Sequence, residues 1–274
     1  MSDSIRERAY AKLTLSLRVT GKSGGYHRIE ALQQSLDLYD DITLTKREDK
    51  EITSDFAGDN SLVVLSALQK AYRLSGMHLS VRKCIPIGGG LGGSSADAAA
   101  AALACAELYG LPKEEVYAAV KDLFGDIAFQ MTKGTAIARG MGSEIEPLPD
   151  LPLYHVLLLF PKKGVSTKEA YALADGLPCG QGDVRKVYQT LLEGHDAKEL
   201  FFNDLYRPAT LLNDEIAPLL LALRDERALL TGMSGSGSTL FSLYKTEAEA
   251  KEKAASIPAC TLLAKTFSPS SSGK

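Results

Sequence analysis

The stretch Ile87-Gly88-Gly89-Gly90-Leu91-Gly92-Gly93-Ser94-Ser95 places five glycines in the six positions 88–93 and runs into Ala96-Asp97-Ala98-Ala99-Ala100-Ala101-Ala102-Leu103, a series of strong helix formers. Glycines reach positive φ and carry no side chain, so backbone N–H groups can converge on an anion. A helix that starts at such a loop adds unsatisfied donors and a partial positive charge. The chemistry this pattern suits is phosphate binding. Ser94 and Ser95 add hydroxyls that can reach a phosphate or a magnesium ion, and Asp97 can cap the helix or approach the metal. The same composition also suits a tight turn kept bare for close packing. A second segment, Gly232-Met233-Ser234-Gly235-Ser236-Gly237-Ser238, can form another backbone nest or a plain hairpin turn.

Two widespread phosphate motifs do not fit. A Walker loop requires G-x-x-x-x-G-K-[ST]; Gly21-Lys22-Ser23 supplies its end, but Ser16 stands where the first glycine belongs. Gly88, Gly90 and Gly93 have the spacing of a dinucleotide fingerprint. The acidic residue expected about 20 positions on, however, falls at Lys113-Glu114-Glu115, which opens a helix rather than ending a strand.

The elements that must position these loops follow from periodicity. Residues 9–20 alternate Ala11, Leu13, Leu15 and Leu17 with Lys12, Thr14, Ser16 and Arg18, the period of a half-buried strand. Thr20 to Gly25 is a turn, and 29–46 holds a second strand and a turn at Asp40-Asp41. Helical spacing covers 61–75, a short strand covers 78–85, and a helical region covers 113–132. Strands are expected at 135–138, 154–160, 239–244 and 260–266, and helices near 167–175, 184–193, 197–206, 214–224 and 246–255. Strands and helices are mixed rather than strictly alternating, which favours an α+β fold. Three prolines between Pro147 and Pro152 mark a boundary, predicting domains at 1–149 and 150–267 and a flexible tail at 268–274.

Bulk properties narrow the function. A chain of 274 residues, 45% hydrophobic, can bury one large core or two modest domains sharing a cleft. A net charge of −3 lacks the basic footprint of a nucleic-acid binder. No apolar window approaches ~18 residues, so no membrane span is expected, and the polar Met1-Ser2-Asp3-Ser4 lacks the core of a signal peptide. Cys84, Cys105, Cys179 and Cys260 form no C-x-x-C pair and read as buried reduced thiols of a cytoplasmic protein.

Three segments together resemble one family, the GHMP kinases. Ala11-Lys12-Leu13-Thr14-Leu15 is similar to the family's first motif, Pro86 to Ser95 to its ATP loop, and Gly232 to Ser238 to its third motif. Further segments resemble the branch that acts on a cytidyl diphosphate sugar alcohol. They are Gly25-Tyr26-His27, Gln34-Ser35-Leu36-Asp37-Leu38-Tyr39-Asp40, Phe202-Asn203-Asp204-Leu205, and Val165-Ser166-Thr167 with Tyr171. Thr14 replaces the usual asparagine of the first motif, Gly24 replaces the aspartate of D-G-Y-H, and Phe124 and Ala128 depart from L-G-A-D-V-P-F-F around Asp126.

The resemblance implies an N-terminal domain like ribosomal protein S5 domain 2 and a ferredoxin-like C-terminal domain, with ATP and substrate meeting between them. It implies phosphoryl transfer from ATP, with Mg²⁺, to the 2-hydroxyl of a cytidyl diphosphate methylerythritol in non-mevalonate isoprenoid biosynthesis. Asp126 is the implied base and Lys12 its partner, because a buried carboxylate needs a neighbouring cation to stay ionised. Lys83, Pro86, Gly88, Gly89, Gly90, Leu91, Gly92, Gly93, Ser94 and Ser95 would hold ATP, with Ser61 and Leu62 near the adenine. Tyr26 and Tyr171 would sandwich the cytosine, His27 would read its edge, and Thr167, Ser234, Gly235 and Ser236 would face the substrate. No dedicated protein cage for a metal is visible, and the working form is expected to be a monomer or weak homodimer. Two other readings stay open: a GHMP kinase for mevalonate, homoserine or a sugar, and a non-catalytic nucleotide-binding relative.

Overall fold

The computed structural model describes residues 3–56, 60–178 and 180–268. Two long strands, β1 (Ser4–Ser23) and β2 (Tyr26–Lys46), pair antiparallel from Ser4 opposite Thr45 to Ser23 opposite Tyr26. The turn expected at Asp40-Asp41 does not form, and β2 runs through it. Asp40 is fully buried, and its carboxylate accepts the backbone N–H groups of Cys84 and Ile85 and the Lys83 ammonium, so its charge is satisfied inside the fold. There follow β3 (Ile52–Ser54), α1 (Asn60–Tyr72), β4 (Met77–Arg82), α2 (Gly93–Tyr109), α3 (Lys113–Val120), α4 (Ile127–Thr132), β5 (Thr135–Gly140) and β6 (Glu144–Leu148). The sheet order is β3-β4-β2-β5-β6, with β1 on β2.

The single helical region expected at 113–132 is two helices, α3 and α4. Gly125 lies between them, where a Cβ would come within 2.9 Å of the Met141 carbonyl oxygen. Pro147, expected in a linker, sits in β6 opposite Ala136. β6 is an edge strand, where a missing N–H is tolerated. Helix α2 is buried on nearly every side, touching β1, β2, α1, α3 and α4. Its alanines let these neighbours approach closely.

The second half holds β7 (His155–Leu159), α5 (Thr167–Ala174), α6 (Val184–Leu192), a 3₁₀ turn at Lys198–Leu200, α7 (Tyr206–Leu212), α8 (Ile216–Leu223), β8 (Leu230–Met233), β9 (Leu240–Tyr244), α9 (Glu247–Ala255) and β10 (Thr261–Lys265). The antiparallel sheet order β10-β7-β9-β8 places the first strand between the last and the third, the ferredoxin-like arrangement. The helix expected over 197–206 is absent. The Leu17 N–H donates to the Phe202 carbonyl oxygen and the Asp204 N–H to the Leu17 carbonyl oxygen, so these backbone groups are committed to β1 and unavailable to a helix.

Residues 156–159 of strand β7 are continuously apolar because both faces of the strand are covered. Val156 and Leu158 join a core that includes α2 and both sheets, while Leu157 and Leu159 pack against α7, α8 and α9. The expectation of buried thiols holds for Cys105 alone among the described cysteines; Cys84 and Cys260 are exposed. Cys179 and tail residues 269–274 lie outside the described residues.

Candidate active site

Strand β1 carries Lys12, Thr14 and Ser16 on its polar face. This face, expected to be half exposed, is buried, and both glycine loops reach its Lys12–Thr14 stretch. The Lys12 N–H donates to the Leu91 carbonyl oxygen at 2.9 Å. The pairing register slips between Tyr10 and Lys12 and again between Thr14 and Ser16. Such irregularities re-aim side chains. The Lys12 ammonium donates to Thr14 Oγ1 at 3.0 Å and lies 3.6 Å from Asp126 Oδ2. Thr14, standing in place of the family's asparagine, therefore supplies an acceptor for the lysine.

Asp126 occupies the N-cap position of α4, but its side chain accepts none of that helix's N–H groups. Its Oδ1 instead accepts from Gln33 Nε2 at 3.2 Å. The carboxylate is therefore turned toward β2 rather than spent on capping α4. Gln33 escaped sequence reasoning. The only trace was a polar pair, Gln33-Gln34, set between apolar Leu32 and Leu36 of a strand.

A cavity of about 560 Å³ opens between the two halves, lined by Lys12, Asp126, the glycine loop from Pro86 to Ser95, Thr167, Tyr171, Gly235 and Ser236. Helix α2 begins at this loop, and its N-cap, Gly92, contributes no side-chain cap, leaving the first-turn donors facing the cavity. Phe56, Ile85 and Ile87 line the wall beside Lys83, with Ile87 80% exposed. Ser61, by contrast, is buried in α1, and neither it nor Leu62 lines the cavity.

The two glycine segments are locked together by backbone contacts. At Gly90, with φ +74°, a Cβ would sit 2.7 Å from the Gly237 carbonyl oxygen and 2.8 Å from that of Ser234. The Gly92 Cβ position lies 2.8 Å from Lys12 Cγ. The glycines expected to bind an anion thus also serve close packing. Ser234, expected to face substrate, is buried. Its hydroxyl accepts from the Thr14 N–H at 3.0 Å and donates to the Gly90 carbonyl oxygen at 3.2 Å. It bolts β1, the ATP loop and the third motif together. Asn203 Nδ2 donates to the carbonyl oxygens of Met233 and Gly235, each at 2.8 Å, holding that motif from the other side.

Lys83 is neither a solvated strand end nor free to face the cavity alone. Its ammonium contacts Asp40 and Asp97 at 2.5 and 2.6 Å. Asp97 does not cap α2; it lines the cavity, fully buried against that lysine. Burial, opposed by Lys83 and reinforced by Asp40, pushes the Asp97 carboxyl up to about 8. Burial opposes the Lys83 charge too, but its two carboxylate partners prevail and raise its pKa.

Of the two rings expected to flank the base, Tyr171 lines the cavity and Tyr26 does not. Tyr26 is 68% exposed at the β1–β2 turn. Tyr171 faces the His27 ring, with centroids 4.8 Å apart and planes 27° off parallel. Burial and the Asp126 charge push the Tyr171 phenol above its ordinary range. Thr167 and Ser236 meet hydroxyl to hydroxyl at 2.8 Å.

Among the described residues, no cluster of three or more His, Cys, Asp or Glu side chains can hold a metal. The loop supplies hydroxyl oxygens from Ser94 and Ser95 on the cavity wall. An oxygen-only donor set fits a magnesium ion that takes its remaining ligands from phosphate and water.

A glycine cradle at a helix N-terminus, facing a lysine–aspartate pair across a cleft, defines a small-molecule phosphotransferase, and the chain belongs to the GHMP kinase family. Residues 60–137 match the GHMP kinases N terminal domain and residues 179–260 the GHMP kinases C terminal domain. The 4-diphosphocytidyl-2-C-methyl-D-erythritol kinase of Desulfitobacterium hafniense (strain Y51) is 35% identical over 263 residues, covering 90% of this chain and 89% of that protein. The kinase of the same name from Thermosipho africanus (strain TCF52B) is 34% identical, covering 85% of this chain and 88% of that protein. A crystal structure of 4-(cytidine 5'-diphospho)-2C-methyl-D-erythritol kinase superposes with a TM-score of 0.82 at 26% identity, covering 96% of this chain and all of that one. The two-domain α+β fold, the kinase class and the use of ATP expected from the sequence all stand.

Proposed function

We propose that the chain transfers the γ-phosphoryl group of ATP to the 2-hydroxyl of 4-diphosphocytidyl-2-C-methyl-D-erythritol, a step of non-mevalonate isoprenoid biosynthesis. The observation that carries this reading is the Lys12 ammonium 3.6 Å from Asp126 Oδ2, on the wall of a cavity whose other side is the glycine loop. The relatives of the same name support the choice of acceptor.

In this reading the loop from Gly88 to Ser95 and the start of α2 hold the phosphates. Phe56 and Ile87 offer apolar surface to the adenine. Asp126 takes the hydroxyl proton as the oxygen attacks the γ-phosphorus, and the bond from that phosphorus to the β–γ bridging oxygen breaks to release ADP. Lys12 stabilises the charge developing on the attacking oxygen. Gln33 fixes the carboxylate, and Thr14 fixes the ammonium. Ser94 and Ser95 are the side chains that would face magnesium. When bound, the ion neutralises phosphate charge.

The test is Asp126→Asn. The amide keeps the shape and the Gln33 contact but cannot accept the proton. Turnover of the cytidyl substrate is expected to fall about 10²- to 10⁴-fold, with ATP affinity nearly unchanged. Unaltered turnover removes Asp126 from the role of base. Assaying the unsubstituted protein against mevalonate, homoserine and galactose alongside the cytidyl compound tests the choice of acceptor. Preference for any of the three others overturns it.

A further inference from the structure

Helix α5 presents three residues at four-residue spacing, Thr167, Tyr171 and Asp175, so they stand on one face. Asp175 is the C-cap and keeps helical geometry, with φ −57° and ψ −28°. Each member of the column makes a different contact, and Thr167 and Tyr171 also line the cleft. Thr167 touches Ser236 of the third motif. Tyr171 stacks on the face of His27. Asp175 Oδ1 lies 2.7 Å from His27 Nε2, while its Oδ2 lies 2.6 Å from Lys22 Nζ. Lys22 and His27 are directly paired across β1 and β2, so one carboxylate grips both strands of the hairpin end.

These contacts set the orientation of the imidazole. Tyr171 sets the plane of the ring, and Asp175 sets its rotation within that plane. The His27 side chain is only 14% exposed, so it has little room to turn away. A carboxylate accepts hydrogen bonds and donates none, so Nε2 must carry the proton. Nδ1 makes no hydrogen bond to any described residue and is left as an acceptor in the neutral ring. The edge of cytosine that differs from uracil carries an exocyclic amine, a donor, where uracil carries a carbonyl oxygen. An acceptor held in place favours the first and opposes the second.

We propose that Asp175 is a positioning residue for base recognition: by holding His27 in the Nε2–H form, it makes Nδ1 a fixed acceptor that selects a cytidine over a uridine diphosphate substrate. The inference rests on the proposed substrate and deepens it, adding a residue outside the family motifs. The neutral amide of Asp175→Asn can turn either its oxygen or its nitrogen toward the ring. It therefore permits both tautomers while keeping the side chain's size.

The experiment compares wild type, Asp175→Asn and Lys22→Met. Turnover is measured with 4-diphosphocytidyl-2-C-methyl-D-erythritol and with its uridyl counterpart, and ¹⁵N spectra of histidine-labelled protein report the His27 tautomer, assigned with a His27→Gln sample. In Asp175→Asn the ratio of kcat/KM for cytidyl over uridyl substrate is expected to fall at least about tenfold. The loss should lie mainly in the KM of the cytidyl substrate, with the KM for ATP unchanged, and the Nε2–H form should give way to a mixture. Lys22→Met, which removes only the other partner of Asp175, should keep both the ratio and the tautomer. An unchanged ratio in Asp175→Asn, or an equal fall in Lys22→Met, reduces Asp175 to a hairpin clamp and overturns the proposal. Absence of cytidyl turnover in the wild type sinks the substrate reading instead, and the spectra still decide whether Asp175 holds the ring.

Discussion

Two carboxylates converge on one ammonium beneath the glycine loop, where water does not reach Asp40 or Asp97. Asp40 satisfies its charge with two backbone N–H groups as well as the lysine, whereas Asp97 bears the cost of burial and, to a lesser extent, of the Asp40 charge. Its carboxyl is raised from 3.8 to about 8. A raised acid holds its proton in the folded state after the unfolded chain has lost it, so its contribution to stability is fully present below about pH 4 and lost as pH rises through about 8. Stability measured by denaturant between pH 5 and 8 should therefore fall less steeply in Asp97→Asn than in the wild type. Identical slopes would mean that Asp97 is ionised throughout. Lys12 and Asp126 were legible in the sequence because each stands in a recognisable motif. The Asp40 contacts were not, because its backbone partner Ile85 lies 45 residues away, and Gln33 reaches Asp126 across 93. Neither spacing leaves a periodic trace.

The glycine loops show what an element can do that its residues cannot do singly. Gly88 and Gly90 share φ +74°, yet a Cβ on Gly88 meets nothing within 4 Å, whereas on Gly90 it meets two carbonyl oxygens of the third motif. Gly88→Ala is expected to cost about 1–2 kcal/mol, the penalty of a left-handed alanine. Gly90→Ala adds a collision with backbone that cannot move without dragging Ser234 off Thr14. It should be destabilised by at least about 2 kcal/mol more than Gly88→Ala and should weaken ATP binding further, as denaturant titration and nucleotide binding would report. Equal effects would show that the two loops are not interlocked. Sequence reasoning recognised both loops from composition, and the long strands from alternation, but could not say that one loop sits on the other. It also read 197–206 as helical, because helical spacing of apolar residues says nothing about where backbone hydrogen bonds go. There the bonds go to Leu17.

At the scale of the molecule, the two sheets are not independent. Val156, Leu158, Phe241 and Leu243 of the second sheet share one buried apolar cluster with Leu13, Leu32 and the alanines of α2. Further bonds tie the halves at their margins, including the Phe267 N–H to the Ser35 carbonyl oxygen at 2.8 Å and the Val19 N–H to Asp204 Oδ2 at 2.8 Å. The floor of the cleft is therefore packed, and the Lys12–Asp126 pair and the glycine loops rest on it. Prolines between 147 and 152 read as a boundary in the sequence, but a cluster that crosses it depends on which faces meet, and no local pattern records that. If the cluster acts as one core, calorimetry should show a single transition. Leu158→Ala, a cavity on the shared side of β7, should lower that transition as a whole and cost about 2–5 kcal/mol. Its neighbour Leu157 faces the other cluster, so Leu157→Ala tests whether the outer helices melt with the rest. Two resolved transitions in the wild type, or a Leu158→Ala variant in which only the C-terminal half melts early, would mean that the halves are separately stable and that the cleft is a joint rather than a fixed frame.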